Sequence, residues 1–158
     1  MNLLWWVIPG VLARMPMPFI HPERQLNQGG ELMEYDDDLP VLAGEGILAV
    51  VSLLNLPGDS LIYESVGFDF LCLPIPDGGA PTFEQAKSFV RFVGVCRVSR
   101  KPVAVHCEAG IGRTGTMLAA YLISEGATAD SAIGRVRSAE LAAIETTAQI
   151  RFLQSFQR

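Results

Sequence analysis

The order of apolar and polar positions divides the chain into short continuous apolar runs and longer stretches with helical spacing. Trp5-Trp6-Val7-Ile8 reads as a strand closed by a Pro9-Gly10 turn. Ile47 to Leu54 is apolar apart from Ser52, as in a strand covered on both faces. Phe68 to Pro76 reads as a further strand running into the loop Asp77-Gly78-Gly79-Ala80-Pro81, and Pro102 to Val105 as another. Between them, Asp36-Asp37-Asp38 ahead of Leu39, Val41 and Leu42, with Pro40 early, suit a helix N-terminus. There the acids cap and stay solvated, and Gly44 and Gly46 end the helix. Thr82 and Gln85 spell a capping box in front of Phe89, Val90, Phe92, Val93 and Cys96 at helical spacing. Thr114 to Ser124 is a helix stopped at Gly126. Thr128-Ala129-Asp130 caps the next, which carries Ile133 and Val136. Residues 145 to 157 form the last, with Ile150, Leu153 and Phe156 inward. Residues 14 to 35, with Pro16, Pro18, Pro22 and Gly29-Gly30, read as irregular. Strands alternating with helices predict an α/β fold, a central mostly parallel sheet flanked by helices, in one domain spanning residues 1–158.

Composition narrows the compartment more than the fold. With 49% hydrophobic and 18% charged residues the chain is too apolar for disorder. Its longest apolar stretches fall well short of the ~20 residues of a membrane span. No Lys or Arg precedes the N-terminal apolar run, and Pro9-Gly10 cuts it short, so it reads as a buried strand and not as a signal peptide. A cytosolic protein is the expectation. Cys72, Cys96 and Cys107 are an odd number and no disulfide framework; Cys72 and Cys96 fall in apolar runs and read as buried core thiols. The net charge of -5 is uneven: residues 1–86 hold 12 acids and 2 bases, residues 87–158 hold 5 acids and 10 bases. The acidic total argues against general nucleic-acid binding, while the basic half suits a small anionic substrate.

The chemistry concentrates in Val105-His106-Cys107-Glu108-Ala109-Gly110-Ile111-Gly112-Arg113-Thr114-Gly115-Thr116. An apolar strand runs into a cysteine, a glycine-bearing loop follows, and a helix opens at Arg113, six positions on. Gly110 and Gly112 permit the backbone angles with which residues 108 to 113 can wrap and turn their N–H groups inward. The helix adds unpaired N–H groups and its positive dipole end, making a cradle for a phosphate dianion. Arg113 offers two phosphate oxygens a planar, two-pronged contact. The same field favours the thiolate of Cys107, in line to attack phosphorus, and the Thr114 hydroxyl can reach that sulfur. The leaving oxygen then needs a proton. Asp77, in a Gly- and Pro-flanked loop 30 residues before the cysteine, is the candidate acid, since such a loop can swing over a site. The competing reading of Asp77 is a plain turn residue ahead of Gly78-Gly79.

This segment resembles the signature of the cysteine-dependent protein tyrosine phosphatase superfamily: His-Cys, five residues, Arg, then Ser or Thr. The order of the chain, acid loop first and cysteine loop late, is similar to the dual-specificity branch. Trp6 to Ala13, Val51-Ser52-Leu53, Ile75-Pro76-Asp77, Gly112 to Leu122 and Ile144-Glu145-Thr146 extend the likeness to small atypical dual-specificity phosphatases over nearly the whole chain. The resemblance implies Cys107 as nucleophile, Arg113 as phosphate clamp and Asp77 as general acid and then base. It implies a phosphate-binding loop of Glu108, Ala109, Gly110, Ile111, Gly112 and Arg113, and His106 ordering that loop. Glu145 and Gln149 match a helix start near the site in relatives, where they could position the attacking water or be first-turn helix residues only. Relatives carry Arg-Pro-Gly or similar before that helix, whereas here Ser138 to Ala143 hold neither Pro nor Gly, which leaves the placing of Glu145 open.

Four other readings compete. Gly110, Gly112 and Gly115 spell a dinucleotide fingerprint, but no acid ends a second strand about 20 residues on. A phosphoinositide or polynucleotide phosphatase would carry Lys within the cysteine loop, and none is present. A non-catalytic phosphate-binding module would have lost the Cys, the Arg or the acid. A rhodanese-like sulfurtransferase would not need Asp77 on a mobile loop. The expectation is therefore a hydrolase of phosphotyrosine, and of phosphoserine and phosphothreonine, on a phosphoprotein or small phosphomonoester. It would work as a monomer, with no cofactor or metal and no nucleic-acid or membrane partner. A protective disulfide between Cys72 and Cys107 would need the two within bonding range.

Overall fold

The computed structural model describes residues 4–20 and 38–157. Two short strands, β1 (Trp5–Ile8) and β2 (Leu12–Met15), form an antiparallel hairpin whose turn rests on Gly10 at φ +74°. β3 (Ala49–Ser52), β4 (Asp69–Cys72) and β5 (Val103–His106) complete a five-stranded sheet in the order β1-β2-β5-β3-β4. The pairs β2–β5, β5–β3 and β3–β4 are parallel. The expected mostly parallel central sheet is borne out, with β1 as its antiparallel edge.

Among the described residues six α-helices pack around the sheet: α1 (Asp38–Gly44), α2 (Ser60–Ser65), α3 (Phe83–Val98), α4 (Gly112–Ser124), α5 (Ala129–Arg137) and α6 (Thr147–Phe156). The period-2 alternation of the strands sorts the core into two layers. Leu12, Ala49, Val51, Val103 and Val105 face one cluster, built with Phe89 and Val93 of α3, α4 and Leu153 of α6. Ala13, Met15, Val50 and Ala104 face the other, built with Leu39 and Leu42 of α1 and Tyr63 of α2. β3 is buried at every position, as the run from Ile47 predicts, and so is β5. α4 is buried from Gly112 through Ile123 and packs against α3, α5 and α6. The apolar stretch Met117 to Ile123 needs such a central place.

Both caps read from the sequence form. Thr82 accepts from the Gln85 N–H while Gln85 reaches back to the Thr82 N–H, and Thr128 caps α5. Gly126 ends α4 at φ +107°. Three differences have physical reasons. β2 falls where the composition suggests irregular chain, because pairing with both β1 and β5 overrides Arg14 and the prolines after it. α2, with the 3₁₀ turn Pro57–Asp59 ahead of it, buries only Tyr63, so its pattern carries no helical stripe. In α6, Leu153 and Phe152 are buried, while Ile150 and Phe156 are half-buried; Phe83 packs on this side, its ring tilted against Phe152 with centroids 5.4 Å apart. Of the acidic triplet, Asp38 opens α1 and its carboxylate accepts from the Phe19 N–H at 2.6 Å. Asp36, Asp37 and the Gly29-Gly30 stretch lie outside the described residues.

Because β2, β3, β4 and β5 run parallel, the loops that follow them leave from one edge of the sheet. That edge, beside the central strand, is where open α/β sheets bind ligands.

Candidate active site

β5 ends at that edge and delivers Cys107, 3% exposed, between β2 and β3. Residues 108 to 111 then turn into α4 through Gly110 at φ +75°. A side chain there would meet the Met15 carbonyl at 2.5 Å, so the conformation and the close approach both require glycine. The loop's carbonyls are engaged away from the cysteine. Met17 N–H donates to Glu108 O at 2.8 Å, Arg14 Nη1 to Gly110 O at 3.1 Å, and Thr116 Oγ1 to Gly112 O at 2.8 Å. No side chain caps the start of α4, and the first N–H seen in its ladder is that of Gly115 to Ile111 O. The N–H groups of Gly112, Arg113 and Thr114 are the orphan donors of a helix start, an electropositive edge facing the sulfur.

Thr114 Oγ1 donates to Cys107 Sγ at 3.1 Å, a contact that lowers the energy of negative charge on sulfur. Arg113 lies buried with Nη1 donating to Ile75 O at 2.9 Å and Nη2 3.6 Å from Asp77 Oδ1. The guanidinium thus bridges the cysteine loop and the loop after β4. Asp77 has 90% of its side chain exposed, so water weakens that ion pair. Asp77, Cys107, Glu108, Ala109, Gly112, Arg113 and Glu145 line one cavity of about 210 Å³. Three of these are acids and one is a base, so the mouth is negative around a positive floor.

His106 is buried, and burial pushes its imidazole below the ordinary value of 6.5; the bond to the Cys107 carbonyl opposes the shift. A carbonyl only accepts, so Nδ1 carries the proton and donates to Cys107 O at 3.0 Å. The neutral ring braces the strand end behind the sulfur and does not line the cavity.

Gln149 also stays outside the cavity. It is buried at the start of α6, its Oε1 accepting from the N–H groups of Glu145 at 2.8 Å and Thr146 at 3.1 Å. Its Nε2 donates to Gly79 O at 3.1 Å, and Thr146 Oγ1 donates to Gly78 O at 2.9 Å. The cap of α6 therefore holds the Asp77 loop. The four residues Thr146-Thr147-Ala148-Gln149 spell the same capping box as Thr82 to Gln85, a signal that was available in the sequence. Glu145 lines the cavity with its carboxylate against Gly112, where glycine is the residue that leaves it room. With no glycine available, Ile144 takes the left-handed turn at φ +60°, held by Arg137 through Nε to Ala143 O at 2.9 Å and Nη2 to Ile144 O at 2.7 Å. Arg14 and Met17 are site-forming residues that the sequence pattern did not single out, while Thr116 and Thr146 stood in the stretches it marked, without a role.

The cysteines are free. Cys72 is half-buried and not a core thiol; its Sγ donates to Leu54 O at 3.2 Å, and burial pushes it above the ordinary thiol value. It lies on β4, two strand spacings or about 10 Å from β5, beyond disulfide reach of Cys107 without backbone movement. Among the described residues no group of three or more His, Cys, Asp or Glu is placed to hold a metal ion, and no helix is long and apolar enough to cross a membrane.

Comparison with known proteins places this geometry. A family model described as a polymorphic toxin system DSP-PTPase phosphatase matches residues 27–127. The dual specificity protein phosphatase CDC14A of Homo sapiens is 30% identical over 118 residues, covering 75% of this chain and 19% of that protein. The tyrosine-protein phosphatase cdc-14 of Caenorhabditis elegans is 31% identical over 133 residues, 84% of this chain and 18% of that protein. The chain thus spans about a fifth of the length of the curated relatives it matches. The crystal structure of Tk-PTP in the active form is 29% identical, with a TM-score of 0.81 over 99% of this chain and 97% of that one. A mutant form of Tk-PTP is 31% identical with a TM-score of 0.80, covering 98% of this chain and 93% of that one.

Proposed function

The chain belongs to the dual-specificity branch of the cysteine-dependent protein tyrosine phosphatases, and from that premise we propose that it hydrolyses phosphomonoesters of proteins through a cysteinyl-phosphate. Phosphotyrosine is the leading substrate, with phosphoserine and phosphothreonine admitted to the same pocket. The observation that carries the reading is the convergence of Cys107 and Arg113 of the cysteine loop with Asp77 of a separate loop on one cavity of about 210 Å³.

Cys107 Sγ attacks phosphorus, the S–P bond forms and the ester P–O bond breaks, with the proton for the leaving oxygen supplied by Asp77. Arg113 and the loop N–H groups hold the three equatorial oxygens through the transition state. In the second step water attacks phosphorus, Asp77 takes its proton, and sulfur leaves as a thiolate stabilised by Thr114 Oγ1. On this reading Glu145, on the cavity wall beside Gly112, orients that water. Gln149 acts one layer back by fixing Glu145 N–H and the Asp77 loop. His106 orders the loop from behind.

Glu108 and Glu145 on the rim, with no Lys in residues 108 to 112, favour a phosphoprotein monoester over a polyanionic headgroup. On this reading residues 1–158 work as one domain and a monomer in the cytosol, without cofactor, nucleic acid or membrane. The test is phosphate release from p-nitrophenyl phosphate and a phosphotyrosine peptide with chelator present. Activity should fall to background in Cys107→Ser and by ~10²–10⁴-fold in Asp77→Asn. Activity that survives Cys107→Ser would move the chemistry to another site.

A further inference from the structure

A loop that binds an oxyanion through its amides must keep its carbonyls turned away. Each outward carbonyl needs a donor, since an unpaired buried one is costly. At Glu108 the donor is a backbone N–H, and at Gly112 it is a hydroxyl four residues along the same helix. At Gly110 it is the side chain of Arg14, 96 residues away in sequence. In a trans peptide the C=O and the next N–H point in opposite directions. Holding Gly110 O outward therefore turns the Ile111 N–H into the loop.

Building on the phosphatase reading, we propose that Arg14 is a positioning residue for the oxyanion cradle. It locks the Gly110–Ile111 peptide in the binding orientation and places a fixed positive charge behind it. The guanidinium is built into its place. Arg14 pairs with Trp5 across β1–β2 and with Val105 across β2–β5, two residues before the cysteine. Its Cζ sits 6.0 Å from the Trp5 ring centroid, and Nη2 lies 3.7 Å from Glu140 Oε2. The side chain is 17% exposed, and Nε is buried with no hydrogen-bond partner among the described residues. A buried donor left unpaired is tolerated here in exchange for aiming the two Nη groups, one at the cysteine loop and one at Glu140. Arg14 does not line the cavity, so it acts on substrate only through the loop.

The test reads the cradle directly. Tungstate, a tetrahedral dianion of phosphate shape, is titrated calorimetrically into wild type, Arg14→Lys and Arg14→Met, with kcat, KM and melting temperature measured alongside. Loss of a hydrogen bond to a charged donor predicts tungstate affinity weakened roughly ten- to hundredfold in Arg14→Met, and kcat/KM reduced by a similar factor. Arg14→Lys, which keeps charge and donor, recovers most of both. Tungstate affinity within twofold of wild type in Arg14→Met, or Arg14→Lys no better than Arg14→Met, overturns the proposal. If Arg14→Met does not fold, Arg14→Gln takes its place under the same criteria. A wild type that binds tungstate but releases no phosphate would sink the phosphatase reading and still leave Arg14 to be judged on binding. A wild type that binds no tungstate overturns both.

Discussion

The two loops that meet over the cavity are built in opposite ways. The cysteine loop is walled in. Its cysteine is 3% exposed, its carbonyls take donors from Arg14, Met17 and Thr116, and Gly110 at φ +75° has the Met15 backbone against it. The acid loop is open. Asp77 has 90% of its side chain in solvent, and Gly78, at an almost identical φ of +76°, has only the Thr146 methyl at 3.7 Å nearby. The difference follows from the two tasks. Dipoles that stabilise transition-state charge work only if they need not reorganise, so they are fixed before substrate arrives. An acid that delivers a proton and recovers one from water needs reach and solvent.

The pair of glycines is the sharpest way to break this contrast. Alanine carries a similar backbone penalty of about 1–2 kcal/mol at either position. At Gly110 the new methyl must also displace the Met15 carbonyl, and the loop can only move by spoiling the cradle. Gly110→Ala should cost about 10²-fold in tungstate affinity and kcat/KM, as expected for an ångström-scale misplacement. Gly78→Ala should lower the denaturation midpoint and leave tungstate affinity unchanged. Equal losses of tungstate affinity in the two variants would erase the distinction between a fixed and a yielding loop.

The same contrast explains what could be read from the sequence. Cys107, Arg113 and Thr114 are legible because their neighbours are local: one strand, one loop and one helix start, contiguous from Val105 to Thr116. Asp77 is legible because glycine and proline mark its loop. Arg14 is not, because its role exists only through pairing between strands distant in sequence, and the short β2 run carries no pattern of its own. Gln149 was visible as a residue, but its contacts were not. Its amide is taken up by two backbone N–H groups and the Gly79 carbonyl, which makes it a strut for the acid loop. Ile144 replaces the expected glycine because Arg137 grips the turn from the far side, which no local rule reveals.

A strut for the acid loop has its own signature. Gln149→Leu removes the bond to Gly79 and leaves the Glu145 and Thr146 N–H groups at the start of α6 without their acceptor, while leaving the cysteine loop's own carbonyl donors in place. kcat toward p-nitrophenyl phosphate should fall about tenfold, the worth of one or two hydrogen bonds, with tungstate affinity near wild type. The loss should largely vanish in an Asp77→Asn background, because a loop without its acid has nothing left to misplace. A full tenfold loss on top of Asp77→Asn would instead assign Gln149 to the cysteine loop.

The smallest effect concerns His106, which belongs to the walled-in side. Its folded-state imidazole titrates below 6.5 because burial penalises the cation, and among the described residues only Nδ1 has a partner. As pH falls through 6.5 the unfolded chain takes up a proton that the folded chain refuses, so stability drops until the folded value is reached. The slope from this residue is at most about 1.4 kcal/mol per pH unit. Melting temperature should therefore decline between pH 7.5 and 5.5, and His106→Asn should flatten that decline whatever its absolute stability. The other histidine, His21, is present in both proteins and cancels from the comparison. Parallel declines in wild type and His106→Asn would mean that the buried ring takes up its proton in the folded state, and the bracing of the cysteine loop would have to survive a charge placed directly behind the sulfur.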